Sequence, residues 1–224
     1  AFITLSDFQR RLMATGGLPA AKIHVKPNFY SGNPAVVPFV NRQSYLVFVG
    51  RLGEEKGVRT LIEAWKQWGA AAPELRMIGD GPLRQELQRE AAGLPVKFLG
   101  QVSAEVAQEQ ISNARLLVLP SEWFETFGLV ISEAFAFGTP VAVSNLGPLP
   151  SIVQNGVNGV VFEARNAAAL LAAVQPVLAD PSVLKGMAEN ARQDFERLYN
   201  EQANYERLME IYEQAIEVNR GIPS

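Results

Sequence analysis

Short apolar runs alternate with longer amphipathic segments through the middle of the chain. The runs predict buried strands over residues 45–49, 75–78, 96–99, 116–119, 141–143 and 159–162. Between them, apolar residues recur at three- and four-residue spacing, which predicts helices over residues 60–68, 83–91 and 128–137 and another that begins at Ser103. This regular alternation predicts consecutive βαβ units.

The predicted fold class is α/β, with a doubly wound, Rossmann-like parallel sheet over residues 41–180. Strands that are apolar on both faces indicate a parallel sheet covered by helices on both sides. Ligands of such sheets bind beyond the carboxyl ends of the strands. The loops to inspect for chemistry are therefore those after Val49, Ile78, Leu99, Leu119 and Val143.

The two flanking segments differ from this domain. Residues 1–40 hold a predicted strand, a helix from Ser6, a second strand, and then three prolines that mark a linker. Residues 181–224 are helical and more polar. Their last helix repeats apolar residues at helical spacing, which predicts a face that requires burial. This stripe consists of Tyr205, Leu208, Tyr212, Ala215 and Ile216.

Composition narrows the classes of function. The 224 residues include 20 Lys and Arg against 23 Asp and Glu, a net charge of −3, so a protein that coats nucleic acid is not expected. Cysteine is absent, which excludes disulfides, thiolate zinc sites and cysteine nucleophiles and suits a cytoplasmic location. A single histidine, His24, gives little support to histidine-rich metal sites or a Ser-His-Asp triad.

The loop after the first predicted strand carries two cations, Arg51 and Lys56. Cations beside helix N–H groups suit a phosphate or diphosphate, although two solvated surface charges explain them as well. After the second strand, Gly79-Asp80-Gly81 resembles the opening of a dinucleotide fingerprint, but Arg84 occupies the third glycine position. A tight turn is the better interpretation of that segment.

The loop after Leu119 carries two carboxylates, Glu125 and Glu133, on either side of a helix start. A carboxylate can accept two hydrogen bonds from a vicinal diol, as with ribose in Rossmann sites. The free N–H groups of residues 127–130 offer an anion site at the positive end of the helix dipole. Alternatively, Glu125 caps the helix and Glu133 pairs with a cation.

Short motifs follow the predicted strands in a fixed order. They are Val49-Gly50-Arg51-Leu52 with Lys56-Gly57, then Ile78-Gly79-Asp80-Gly81-Pro82, Phe98-Leu99-Gly100-Gln101-Val102, Glu125-x7-Glu133 after Pro120-Ser121, Gly138-Thr139-Pro140-Val141, and Asn155-Gly156-Val157-Asn158-Gly159. Together they resemble the retaining glycosyltransferases of the GT4 type, which have the two-domain GT-B fold. The resemblance spans about residues 1–216.

The resemblance implies a binding site for a nucleotide sugar linked to UDP, GDP or ADP. By position, Arg51 and Lys56 would neutralise the diphosphate, Val102 would contact the base, Glu125 would hold hydroxyls of the transferred sugar, and Glu133 would bind the ribose diol. Backbone amides would meet sugar and phosphate, namely those of Phe127, Gly128, Leu129 and Val130. The catalytic assignments would be Glu125, Arg51 and Lys56.

The resemblance also implies transfer with retention of configuration and without a metal or another cofactor. The two cations and the helix dipole would stabilise the leaving diphosphate. Two departures affect this expectation. Pro148 and Ser151 replace the second Gly and the Glu of the family's usual Gly-Gly-x-x-Glu loop, and Phe29 replaces the Gly of its Pro-Asn-Gly linker.

We expect this chain to be the donor-binding half of a longer enzyme. Residues 1–40 resemble the end of the acceptor domain and the interdomain linker, and the last helix of residues 181–224 would cross toward that domain. The acceptor, a sugar, a lipid-linked sugar or a small molecule, would bind through the missing domain, as would any membrane surface. A stand-alone nucleotide-sugar-binding module and a GT-B-type epimerase remain open alternatives.

Overall fold

The computed structural model describes the backbone of residues 1–220 and the side chains of residues 1–217. The last four residues of the predicted segment 181–224 therefore lie outside the described residues. The strands are β1 (Phe2–Thr4), β2 (Ile23–Val25), β3 (Tyr45–Val49), β4 (Glu74–Ile78), β5 (Val96–Gly100), β6 (Leu116–Leu119), β7 (Val141–Ser144) and β8 (Gly159–Phe162).

The helices alternate with the strands through the central domain, as the sequence predicts. They are α1 (Asp7–Thr15), α2 (Val58–Trp68), α3 (Arg84–Glu90), α4 (Ala104–Asn113), α5 (Leu129–Ala136), α6 (Leu149–Ile152), α7 (Ala167–Ala179), α8 (Pro181–Asp194) and α9 (Glu201–Arg220). Ser103 caps α4 as predicted, because its hydroxyl accepts a hydrogen bond from the N–H of Val106.

Six parallel strands form the main sheet in the order β5-β4-β3-β6-β7-β8. The α/β fold class is confirmed. The order of the strands reverses between β3 and β6, so the crevice between their carboxyl ends is the switch point at which ligands of doubly wound sheets bind. The loops that follow β3 and β6 are those that carry Arg51, Lys56 and Glu125.

Alternate residues of each strand face opposite layers, because side chains alternate along a strand. Leu46 and Phe48 of β3 pack with α2, α3 and α7 on one face of the sheet. Tyr45 and Val47 pack with α4, α5 and α6 on the other face. Burial on both faces explains why β3, β6 and β7 are continuous apolar runs, whereas β4 and β5, toward one edge of the sheet, carry Arg76 and Lys97.

Residues 1–40 form a small unit that α9 contacts directly. Its strands β1 and β2 pair in parallel. From α9, the Arg207 Nε donates to the Val25 carbonyl at 3.0 Å, and Asn204 accepts from the Lys26 Nζ at 2.8 Å. Of the predicted apolar stripe of α9, Leu208 and Ala215 are partly buried, whereas Tyr205, Tyr212 and Ile216 are more than half exposed.

No single helix among the described residues is both long and apolar enough to cross a membrane. Helix α7 and the segment Pro181–Glu217 meet the requirement of length and composition only together, across a bend of 101°.

Candidate active site

The loops after β3 and β6 lie in direct backbone contact at the switch point. Gly57 adopts φ 66°, and a Cβ at this position would stand 1.9 Å from the Pro120 carbonyl oxygen. The N–H of Glu122 donates to the Glu55 carbonyl at 2.9 Å. Only glycine permits both this conformation and this approach, so Gly57 is what lets the two loops meet.

Lys56 and Glu125 form an ion pair across these loops, with the Lys56 Nζ 2.6 Å from Glu125 Oε1. The hydroxyl of Ser121 donates to the same carboxylate oxygen at 2.6 Å. Ser121 is itself fully buried, and its carbonyl accepts from the Ser144 hydroxyl. Glu125 is therefore positioned by two donors, and it does not cap α5.

Arg51 lies exposed on the same loop as Lys56. Its guanidinium makes no hydrogen bond or ion pair with another of the described residues. The structure thus distinguishes the two predicted phosphate ligands. Lys56 is already paired with a carboxylate, whereas Arg51 is free to contact a ligand in solution.

The first turn of α5 presents backbone donors without a side-chain cap. Gly128 precedes the helix with φ 84°, and within the described part of the chain Leu129 and Val130 donate no backbone hydrogen bond. The ring of Phe127 is buried against Tyr199, with the ring centroids 6.0 Å apart. The side chain of Phe127 therefore belongs to the core, while the N–H groups of Leu129 and Val130 are left available to an anion.

Glu133 lies on α5 about one turn beyond these amides and is partly buried. Burial raises its pKa above the usual range, and a hydrogen bond from Gln108 opposes this effect. No described cation forms an ion pair with it, so the alternative in which Glu133 pairs with a cation is not observed. Burial and then the Glu133 charge raise the pKa of Tyr30.

Val102 follows β5 in the loop that leads into α4. Its side chain is partly buried and packs on the core cluster of the face that carries α5. The turn that the sequence favours lies just beyond Gly79-Asp80, at Gly81-Pro82-Leu83, where the N–H of Arg84 donates to the Gly81 carbonyl at 3.1 Å. A Cβ on Gly79 would lie 2.0 Å from the Gly50 carbonyl oxygen, so this glycine serves the packing of β4 against the loop after β3.

Sequence reasoning missed a polar clamp beside the site. The carboxylate of Glu122 accepts from the Thr60 hydroxyl at 2.6 Å and lies 3.4 Å from the Arg165 Nε. Arg165 also has φ 60°, unusual for a residue with a side chain. The clamp joins α2 to the loops after β6 and β8. Residues so distant in sequence give no local signal, so the pattern could not reveal it.

No group of three or more His, Asp or Glu side chains within the described residues is arranged to hold a metal ion. The site instead gathers two cations, two carboxylates and a free helix start around one crevice. This is the chemistry suited to a ligand with both phosphate and hydroxyl groups.

The family model of the glycosyl transferases group 1 matches residues 33–194. The chain therefore belongs to this family. It is 32% identical over 181 residues to the uncharacterized glycosyltransferase MJ1607 of Methanocaldococcus jannaschii, which covers 79% of this chain and 46% of that protein. It is 38% identical over 154 residues to a glycogen synthase of Mycobacterium tuberculosis, and the match covers 66% of this chain and 37% of that protein.

Solved structures of the GT-B glycosyltransferases share the fold, which confirms the GT-B assignment. A sucrose-phosphate synthase from Thermosynechococcus elongatus superimposes with a TM-score of 0.80 and 26% identity, covering 96% of this chain and 58% of that one. The present chain thus spans less than half the length of the two curated relatives above.

Proposed function

We propose that this chain binds a nucleotide sugar at the crevice between the loops after β3 and β6, as the donor-binding part of a retaining, metal-independent glycosyltransferase. The observation that carries the proposal is the Lys56–Glu125 pair at the switch point, 2.6 Å apart, beside the free N–H groups of α5. Membership of the glycosyltransferase family supports a glycosyl-transfer reaction.

The charges are arranged for a donor whose leaving group is a diphosphate. Arg51 is exposed and Lys56 is one quarter exposed, so both can reach a phosphate that enters the crevice. The positive end of α5 adds a third favourable contribution through Leu129 and Val130. These groups stabilise the negative charge that develops as the sugar departs, which is the role that a metal ion plays elsewhere.

The carboxylates are arranged for hydroxyl groups. Glu125 is held by Ser121 and Lys56, which leaves its other oxygen for a sugar hydroxyl. Glu133 lies deeper along α5 and lacks a cationic partner among the described residues, so a ribose diol would supply the two hydrogen-bond donors that it needs. In this arrangement the diphosphate lies between the two carboxylates.

The test is calorimetric titration of the chain with UDP, GDP and ADP and with their glucose conjugates, followed by the variants Arg51→Ala and Lys56→Ala. We expect each variant to weaken binding of the preferred nucleoside diphosphate by about 1.5–3 kcal/mol, roughly 10- to 150-fold, because each removes a charge-assisted contact. Lys97→Ala is the matched control, since Lys97 forms an ion pair with Glu74, also at 2.6 Å, in another part of the sheet.

Unchanged affinity in both site variants would overturn the phosphate role. The Lys97 variant should bind like the unaltered chain. A thermal-shift screen of UDP, GDP and ADP comes first and identifies the preferred base. It is sensitive enough because a ligand at 100 times its Kd raises the unfolding free energy by roughly 2.7 kcal/mol.

A further inference from the structure

Two arginines lie close together where β3 and β6 begin, at the edge of the sheet opposite the candidate active site. Arg42 is buried, and its guanidinium donates to the Phe137 carbonyl at 2.8 Å, the Thr139 hydroxyl at 3.0 Å and the Ala114 carbonyl at 3.4 Å. All these acceptors are neutral. The Arg42 charge is therefore hydrogen-bonded, but none of its partners is a carboxylate.

Arg115 is the neighbour of Ala114 and brings a second guanidinium to this place. Its Cζ lies 4.6 Å from the centre of the Phe39 ring. Its Nε is buried and has no hydrogen-bond partner, the only such side-chain atom among the described residues. It forms no ion pair with any of them. A buried guanidinium nitrogen without an acceptor is costly, so an acceptor here would stabilise the protein.

Arg115 lines a cavity of about 550 Å³. Trp68, Leu178 and Leu184 provide apolar walls, and Ser44 and Gln175 provide neutral polar groups. None of the described residues that line it is acidic. Such a cavity, with apolar walls and one cation, suits a small organic anion with an apolar body.

We propose that this cavity is a second ligand site, which binds an organic anion through the guanidinium of Arg115 while the body of the anion packs against Trp68. The planar fork of arginine matches the paired oxygens of a carboxylate or a phosphate. The shared chemistry is thus an anionic head on an apolar or cyclic body.

The electrostatics of the neighbouring arginine support this assignment. The pKa of Arg42 is lowered to about 10, first by burial and then by the Arg115 charge, while Tyr45 acts in the opposite direction. An anion beside Arg115 would reduce this repulsion. The site lies at the opposite edge of the sheet from Lys56 and Glu125, so it does not depend on the proposed function.

The test uses three anionic probes, phenyl phosphate, benzoate and inorganic phosphate, with benzyl alcohol as the neutral analogue. The full chain carries Arg51→Ala and Lys56→Ala together, so that the candidate active site does not compete for phosphate. We expect phenyl phosphate and benzoate to bind saturably at millimolar concentrations or below and to shift the Trp68 indole resonance, which Trp68→Phe identifies. Benzyl alcohol should bind far more weakly than either aromatic anion. Tighter binding of phenyl phosphate than of benzoate would indicate that the natural ligand carries a phosphate, and the reverse order would indicate a carboxylate.

Arg115→Gln should weaken binding at least about tenfold, whereas Arg89→Gln, on the exposed surface of α3, should leave it unchanged. Equal binding by the Arg115 variant would overturn the proposal, as would binding of benzyl alcohol as tight as that of the anions or the absence of saturable binding. If Arg115→Gln does not fold, the proposal is tested by the Trp68 indole resonance of the chain that keeps Arg115. A saturable shift with phenyl phosphate or benzoate, and none of comparable strength with benzyl alcohol, would support the proposal.

Discussion

Glu133 is a residue whose environment opposes its charge, and this has a consequence for stability. Burial raises its pKa, so ionisation is more costly in the folded chain than in the unfolded one. The folded state therefore loses stability as the pH rises from the unfolded pKa through the folded pKa, and the loss is complete above the folded value.

Glu133→Gln should therefore raise the melting temperature at pH 7 and leave it nearly unchanged at pH 3, where the carboxyl is protonated in both states. For a chain of this size, about 1 kcal/mol corresponds to roughly 2–4 °C. Tyr30, whose pKa is raised by burial and by the Glu133 charge, keeps its proton across that range. Calorimetric melting at both pH values is the measurement. An equal rise at pH 3 would show that the charge is not the cause.

Glu125 and Glu133 should differ in which ligand they affect. Glu133→Gln should weaken binding of the nucleoside diphosphate by about 1.5–3 kcal/mol, because it removes a charged acceptor for the ribose diol. Glu125→Gln should leave that affinity within about twofold and abolish most of the additional affinity of the intact nucleotide sugar. Titration of each variant with both ligands checks this. If the two variants lose the two ligands in equal proportion, the division of roles is wrong.

At the scale of elements, the site depends on how closely the loops after β3 and β6 approach. Gly57→Ala would place a Cβ 1.9 Å from the Pro120 oxygen and require φ 66° of a residue that disfavours it. The left-handed conformation alone costs about 1–2 kcal/mol, and the clash with backbone forces the loops apart. We expect a loss of more than about 2 kcal/mol in unfolding free energy, together with weaker donor binding.

Gly186→Ala is the matched control for this change. Gly186 lies inside α8, has no atom within 4 Å of its ideal Cβ, and does not adopt a positive φ. There the same substitution should stabilise the chain by about 0.5–1 kcal/mol, because alanine is the better helix former. Urea unfolding of both variants measures the two effects. A Gly57 variant as stable as the control would show that the loops tolerate separation.

The elements were predictable because each is specified locally. The strands from β3 to β8 appear as apolar runs, and the cap of α4 appears as one serine before a periodic segment. The contacts that assemble the site are not local. Lys56 meets Glu125 across 69 positions, and Glu122 joins Thr60 to Arg165. Only the arrangement of the sheet brings these residues together. The sequence therefore indicated Lys56 and Glu125 as site residues, but it did not indicate that they form an ion pair with each other.

The buried face of α9 shows a similar limit. Periodicity predicted a buried stripe of five residues, of which the structure partly buries Leu208 and Ala215 and leaves Tyr205, Tyr212 and Ile216 more than half exposed. Ile211 is buried between Leu208 and Ala215, and Asn204 and Arg207 make polar contacts to residues 25–27. A hydrophobic stripe predicts which face of a helix packs against apolar residues. It does not predict that polar side chains such as Asn204 and Arg207 help to set which face of α9 contacts the rest of the chain.

At the scale of the whole molecule, the chain spans only part of the length of its relatives. It covers 46% of the archaeal relative and 37% of the glycogen synthase. Residues 1–40 already lie against the candidate site, because Gln9 donates to the Thr126 carbonyl at 2.9 Å and Phe8 packs on Phe124. These contacts show how a segment outside the main domain can reach the loop that carries Glu125.

The last prediction concerns turnover, which requires more than donor binding. Transfer needs an acceptor held within reach of the sugar and water kept out of the site. The chain spans less than half the length of the two curated relatives, and on the proposed function the residues that hold the acceptor lie outside it. Residues 1–224 alone should therefore bind the nucleotide sugar and yet transfer it poorly. A longer parent that includes a second domain should bind the donor with similar affinity and turn over at least about a hundredfold faster. Calorimetry and a product assay on both proteins, with the same donor, separate binding from catalysis. Comparable turnover by the two would mean that residues 1–224 contain the complete active site.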